Sequence, residues 1–284
     1  MTPPPASGSA APLHHQLGLV SAAIALEAGR MAAAEAHLAR STVRTKATPT
    51  DLVTAVDTAT EALVVDRLQT NRPHDGLAGE EGARRTGTSG VTWHIDPIDG
   101  TTNLVYGVGG FAVSIAAEID GEMVAAAVYD PTGDRLFRAV RDGGAWANDV
   151  PISCRTTDRL DTALVATGFA YDAEVRRSQA ETLVEVLPRV RDIRRLGSAA
   201  LDLCLVAAGV FDAYFERSLN LWDFAAGWLI ATEAGAVVTD LHDGPPSSDY
   251  LVAAAPGVYG PLIELLRDPG RGCHDAGSGS EPAG

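Results

Sequence analysis

The sequence predicts a mixed α/β protein, helices and sheets stacked in layers. Three observations carry this. Two amphipathic helices come first, over residues 17–38 and 58–69; turn-separated apolar segments follow from residue 91 to about 152; and from 164 to 267 short strands alternate with helices.

Each element has its own signal. Leu17, Val20, Ile24, Met31 and Leu38 recur at spacings of three, four and seven, one face of a helix. The second helix turns Leu63, Val64 and Leu68 inward, with Pro73 beyond its end. Residues 91–96 read as a short strand. Residues 111–119 and 122–129 flank Asp120-Gly121, a two-residue hairpin signal, and the strand 135–140 follows the turn Pro131-Thr132-Gly133. These make an antiparallel sheet region. In the second half, 164–167 is strand-like and 174–187 helical. A helix over 198–208 has Ser198 as N-cap and Gly209 just past its end. Strand 211–216, helix 222–234 closing at Gly235, strands 236–241 and 250–254, and a last helix 258–267 complete the chain. No long linker parts the halves, so residues 13–269 read as one domain. Its lobes span about 13–155 and 156–269, with the seam near 153–160. Residues 1–12 and 270–284 are low in complexity and read as mobile tails.

With 284 residues, 46% of them hydrophobic, the chain can bury a sizeable core. Its formal net charge of −15 argues against gripping nucleic acid or an anionic membrane, both of which call for basic surface. The same charge would repel a phosphorylated metabolite unless it is cancelled locally. Lys46 is the single lysine; the other basic residues are arginines. Cys154, Cys204 and Cys273 are far apart and odd in number, which points away from a disulfide framework or zinc knuckle and towards a cytoplasmic location. Residues 1–12 lack the pattern of a signal peptide, and no stretch approaches the roughly 18–20 uninterrupted apolar residues of a membrane span. The histidines show no metal-ligand spacing, and His94 reads as structural. Gly107-x-Gly109-Gly110 lacks a dinucleotide context, and no nucleophile elbow occurs. Arg189, Arg191, Arg194 and Arg195 read as a solvated face or a partner surface.

The chemistry concentrates in acids beside turns. Asp96-Pro97-Ile98-Asp99-Gly100-Thr101-Thr102-Asn103 puts one carboxylate at a strand end and one in a turn, next to free backbone N–H groups that suit phosphate. Carboxylates would repel that phosphate, and a divalent metal held by oxygen ligands resolves the conflict. Alone, the segment reads equally as a capped turn. Gly79-Glu80-Glu81-Gly82 reads as a solvated loop or an acid pair. Trp222-Asp223-Phe224 has Asp223 at a helix start, the usual place of an N-cap. Residues 50–57 carry Asp51 and Asp57, with Lys46 just upstream.

Together these segments, with Lys46-Ala47-Thr48-Pro49-Thr50-Asp51 and Gly197-Ser198-Ala199-Ala200-Leu201-Asp202, resemble the inositol monophosphatase family of Mg²⁺-dependent, lithium-sensitive sugar phosphatases. The likeness runs from about residue 17 to 267 and is nearest to the bacterial inositol-1-monophosphatases. It implies a layered αβαβα sandwich and hydrolysis of a phosphomonoester, myo-inositol 1-phosphate, by attack of a metal-activated water. The resemblance gives Glu80 and Asp96, with the Ile98 carbonyl, to one Mg²⁺, and Asp96, Asp99 and Asp223 to a second. A weaker third ion falls by Glu80. Gly100 and Thr101 take the phosphate; Thr101 and Asp57 orient the water; Lys46 stands by Glu80. Gly197, Ser198, Ala199 and Glu216 meet the sugar hydroxyls, and a carboxylate at 216 suits a polyol ring. Asp51 is left structural.

The same resemblance leaves three readings open. Histidinol phosphate, fructose 1,6-bisphosphate or a 3′-phosphoadenosine nucleotide would need the same chemistry with another sugar surface. A regulatory protein that binds a partner such as RNA polymerase is the third. A homodimer acting on a small molecule, with no nucleic acid or membrane partner, completes the expectation. Two Mg²⁺ would offset four of the negative charges at the site itself.

Overall fold

The computed structural model describes residues 10–268, with side chains from residue 12. In chain order, helix α1 (Ala10–Thr42) is followed by the small hairpin β1 (Arg44–Thr45) and β2 (Leu52–Val53), α2 (Ala55–Asn71), β3 (Gly76–Gly79) and β4 (Arg84–Arg85). Next come β5 (Val91–Asp99), α3 (Thr101–Tyr106), β6 (Ala112–Ile119), β7 (Glu122–Asp130), β8 (Arg135–Val140), β9 (Ala145–Ala147) and β10 (Val150–Ile152). The second half holds β11 (Leu164–Thr167), α4 (Ala173–Val186), β12 (Asp192–Arg194), α5 (Ala199–Ala207) and β13 (Ala213–Glu216). It ends with α6 (Leu221–Glu233), β14 (Val237–Thr239), β15 (Leu251–Ala254) and α7 (Pro256–Arg267).

Two large sheets result. Eight strands run in the order β10-β9-β8-β7-β6-β5-β3-β4, antiparallel except for the β3–β5 pair, and five run β12-β11-β13-β15-β14. Strand alternation decides which core each residue enters. On β6, Val113, Ile115 and Ala117 face α1 and α2 through Leu17, Ile24, Val64 and Leu68. Ala112 and Ala116 face the opposite way, onto α5 and α6 through Leu203, Phe224 and Ile230. Those two helices also meet the second sheet at Tyr214, Leu251 and Ala253. Val252 and Ala254, one residue out of phase, face Val186 of α4 and Val258 and Leu262 of α7. The layers are therefore helix, sheet, helix, sheet, helix, the αβαβα order implied by the resemblance. The chain changes sheets between Ile152 and Leu164.

The hairpin at Asp120-Gly121 takes positive φ at both residues (52° and 82°), as its sequence requires. Ser198 caps α5, accepting from Leu201 N, and Gly209 follows with φ 66°. Three boundaries stand out against expectation. Residues 10–12, expected in a tail, belong to α1; the other residues expected in the two tails lie outside the described residues. Helix α2 starts at Ala55 because Thr54 and Asp57 form a capping box. Strand β5 does not stop before Pro97 but runs to Asp99, where a register shift between Asp96 and Asp99 accommodates the proline. By length and apolar content α1 alone among the described helices could cross a bilayer, yet Leu17, Ile24, Ala25 and Ala28 are buried on the sheet.

Candidate active site

A cleft of about 250 Å³ opens where the two lobes meet, at the ends of β3, β5, β11 and β13 and the starts of α3, α5 and α6. A larger cavity of about 770 Å³ lies between α1 and β7–β9, but none of the predicted site residues lines it. Volume alone does not locate the chemistry here.

Strand β3 lies parallel to β5, so Glu80 emerges beside it and its N–H bonds Ile95 O at 3.1 Å. Strand β5 supplies Asp96 and Asp99, both buried. Asp96 Oδ1 accepts from Ile98 N at 3.0 Å, fixing the bend past Pro97. Gly100 then adopts φ 97°, and a Cβ there would press on the carbonyls of Gly110 and Gly197 at 3.0 and 3.2 Å. Only glycine suits both that φ and that close approach. Thr101 starts α3; its hydroxyl lies 2.7 Å from Asp57 Oδ1 and 3.0 Å from the Ile98 carbonyl. Asp57 is completely buried, and its other oxygen accepts from Thr54 N at 2.9 Å and Thr54 Oγ1 at 2.5 Å.

The second lobe closes the site. Asp99 Oδ2 accepts from Ser198 Oγ at 2.7 Å and Ala200 N at 2.6 Å, which ties β5 to the start of α5. Asp223, the third residue of α6, accepts from Asn220 N at 2.7 Å. Lys46 Nζ bridges Glu80 at 2.8 Å and Glu81 at 2.5 Å. Burial opposes the lysine's charge, but the two carboxylates outweigh it and raise its pKa.

The cleft brings together Lys46, Glu80, Asp96, Ile98, Asp99, Gly100 and Thr101 from the first lobe. Gly197, Ala199, Glu216 and Asp223 join them from the second. Two predicted residues stand behind the lining. Asp57 reaches the cleft through Thr101, and Ser198 turns its hydroxyl to Asp99 rather than outward. Asp51, read as structural, lines the cleft, as does Arg195, read as part of a solvated face. His94 is buried and paired with Glu118 at 2.7 Å, in keeping with a structural role.

Sequence reasoning missed Glu61, Gly168, Tyr171, Tyr214 and Trp222. Glu61 accepts from Glu81 N and Ala83 N, both at 2.9 Å, and so holds the loop that carries Glu80. Its spacing of four from Asp57 on one helix was the available signal. Trp222 lines the cleft, its indole N–H buried and without a partner among the described residues.

The electrostatics set the remaining question. Six acids and two basic residues line the cleft. Burial, then the charges of Glu80, Asp99 and Asp223, holds Asp96 well above the usual carboxylate range. Burial lifts Asp99 to about 6 against the pull of its Ser198 and Ala200 bonds, and lifts Asp223 strongly as well. Among the described residues no three His, Cys, Asp or Glu side chains stand at metal-binding spacing, since Glu80, Asp99 and Asp223 are turned to the partners just named. They nevertheless line one cleft, offer oxygen only and, with Asp51, Asp96 and Glu216, outnumber the positive charges of Lys46 and Arg195 there. That donor set fits a hard divalent cation.

A twisted αβαβα sandwich with an acidic, oxygen-lined cleft between its lobes defines a class of phosphatases. The sequence profile of the inositol monophosphatase family matches residues 15–268, and the chain belongs to that family. It is 48% identical over 236 residues to an inositol-1-monophosphatase of Mycobacterium leprae, covering 79% of this chain and 81% of that one. A protein of Salmonella typhimurium named Nus factor SuhB is 40% identical over 225 residues, covering 77% and 83%. The solved structure of Mycobacterium tuberculosis SuhB superposes with a TM-score of 0.78 at 43% identity, over 89% of this chain and 96% of that one.

Proposed function

We propose that the protein releases inorganic phosphate from myo-inositol 1-phosphate with Mg²⁺ as cofactor, by direct attack of water on phosphorus. The observation that carries the proposal is that Asp96, Asp99, Asp223, Gly100, Thr101 and Glu216 all line one cleft. Membership of the inositol monophosphatase family, and kinship with enzymes named inositol-1-monophosphatase, make the chain an inositol-phosphate phosphatase.

Glu80, Asp96 and the Ile98 carbonyl would hold one Mg²⁺, and Asp96, Asp99 and Asp223 would hold a second, with a weaker third ion by Glu80. When bound, Mg²⁺ lowers the pKa of water and stabilises the departing oxygen. The chain's own residues do the rest. Asp57, buried and acceptor to Thr101, keeps that hydroxyl aimed at the attacking water. The N–H groups of Gly100 and Thr101 hold phosphate oxygens, and Lys46 keeps Glu80 in place. Gly197, Ala199 and Glu216 receive the sugar hydroxyls, while Ser198 serves by orienting Asp99. We read the enzyme as a cytoplasmic homodimer, for which light scattering after size exclusion is the test.

A panel of kcat/KM values with Mg²⁺ decides the substrate. Inositol 1-phosphate should lead; a tenfold preference for histidinol phosphate, fructose 1,6-bisphosphate or a 3′-phosphoadenosine nucleotide would overturn that choice. Lithium should inhibit. The relatives named Nus factor SuhB favour a second reading, a regulatory role with a protein partner. A pull-down of transcription proteins that survives both EDTA and Asp99→Asn would support it.

A further inference from the structure

Glu216 is held by Tyr214 and packed against Gly168. Strand β13 ends at Glu216, and a period of two turns Tyr214 and Glu216 to the same face. The Tyr214 ring is wholly buried against α5 and α6, and its hydroxyl donates to Glu216 Oε2 at 2.6 Å. Gly168 stands on the other side, just past β11. Strands β11 and β13 are parallel, with Thr167 opposite Phe215, so Gly168 comes level with Glu216. A Cβ on Gly168 would fall inside the van der Waals envelope of Cδ, Oε1 and Oε2 of Glu216 together. The carboxylate occupies the volume that any other residue at 168 would fill.

The surroundings keep this arrangement rigid. Thr167 Oγ1 donates to Phe215 O at 2.9 Å, locking the two strand ends together. Gln179 of α4, itself buried, accepts from Ala170 N at 2.9 Å and so ties down the backbone after Gly168. The terminal torsion of a glutamate is otherwise broad and would let the carboxylate swing.

We propose that Tyr214 and Gly168 are positioning residues that fix the Glu216 carboxylate and thereby select polyol phosphates over phosphomonoesters without ring hydroxyls. The inference rests on the reading of Glu216 as the acceptor of sugar hydroxyls. Tyr214 takes Oε2 and sets the plane of the carboxylate, and Oε1 is left to the ligand. Gly168 provides the space in which that one orientation fits. Neither residue is hydrogen-bonded to Asp57 or Thr101, the pair proposed to act at the phosphate.

The test is steady-state kinetics of wild type, Tyr214→Phe and Gly168→Ala with Mg²⁺, on myo-inositol 1-phosphate and on p-nitrophenyl phosphate. Each variant should lower the ratio of kcat/KM for inositol phosphate to that for p-nitrophenyl phosphate by about tenfold, mostly through KM. A structural lesion would lower both values by one factor and leave the ratio intact, and that result overturns the proposal. So does a ratio unchanged because neither value moves. Phe keeps the buried ring, so Tyr214→Phe carries the test even where Gly168→Ala folds poorly. The two readings fail differently. A wild type with no preference for inositol phosphate defeats the role of Glu216 and this inference with it; a wild type with the preference, retained in both variants, defeats this inference alone.

Discussion

Glu61 in the first lobe and Glu216 in the second are both carboxylates laid against a glycine, and they differ in how the protein uses their oxygens. Glu61 is 6% exposed and gives each oxygen a backbone donor, Glu81 N and Ala83 N. A Cβ on Gly79 would collide with it, as one on Gly168 would with Glu216. Glu216 has Tyr214 on Oε2 and opens onto the cleft. Burial raises the pKa of both; for Glu216 the rise reaches about 7 despite the tyrosine bond. The difference teaches a rule. A carboxylate with both oxygens satisfied by backbone fixes a loop; one with an oxygen to spare, facing a cleft, can receive a ligand.

The largest predicted effect tests whether the two lobes work as one site. Asp99→Asn or Asp223→Asn should cut phosphate release at saturating Mg²⁺ by about a thousandfold or more. Undiminished turnover in either would break the assignment of these acids and make the comparison of lobes irrelevant to catalysis. Next in size is the water-orienting pair. Asp57→Asn should lower kcat by roughly a hundredfold with KM little changed, because Thr101 would face an amide in place of a carboxylate. A change in KM alone would move Asp57 from catalysis to binding.

Much of this was legible in the sequence because its signals are local. The cap at Ser198, the hairpin at Asp120-Gly121 and the acids around Gly100 all declare themselves within a few residues. That helices and sheets stack in layers followed from the alternation of elements; the αβαβα order came from the family resemblance. What was not legible is contact between distant segments. Gly168 meets Glu216, and Asp99 meets Ser198, only after the sheets are stacked. Pro97 misled for the same reason: it reads as a strand end, but the irregular pairing with β6 absorbs it. Thr54-x-x-Asp57 was a readable capping box, and it would have placed the start of α2 correctly.

Glu61→Gln sharpens the comparison at lower cost to the enzyme. An amide offers one oxygen where two backbone N–H groups need two, so one of them meets a second donor. The loop bearing Glu80 should loosen, and the Mg²⁺ concentration for half-maximal activity should rise about tenfold or more. The Mg²⁺-dependent rise in melting temperature should shift with it, a readout independent of turnover. An unchanged Mg²⁺ response would show that the loop is held without Glu61, and the rule drawn from the two glutamates would lose its first case.

Asp202 is the third kind of carboxylate, and it predicts the smallest effect. It lies in the first turn of α5, 1% exposed, and neither oxygen has a partner among the described residues. Burial, then the charges of Glu216 and Asp99, raises its pKa well above 3.8, while Arg195 pulls the other way. An unfolded chain releases this proton near pH 3.8 and the folded one holds it to higher pH. Above pH 3.8 the folded state therefore binds more protons, and stability falls as pH rises through the folded pKa. Asn carries no such proton. Asp202→Asn should thus melt higher than wild type at pH 8, by about 2–4 °C, with a smaller gain at pH 5. A variant less stable at pH 8 would mean that the ionised carboxylate has a stabilising partner in solution, which would place Asp202 with Glu61 as a fixture.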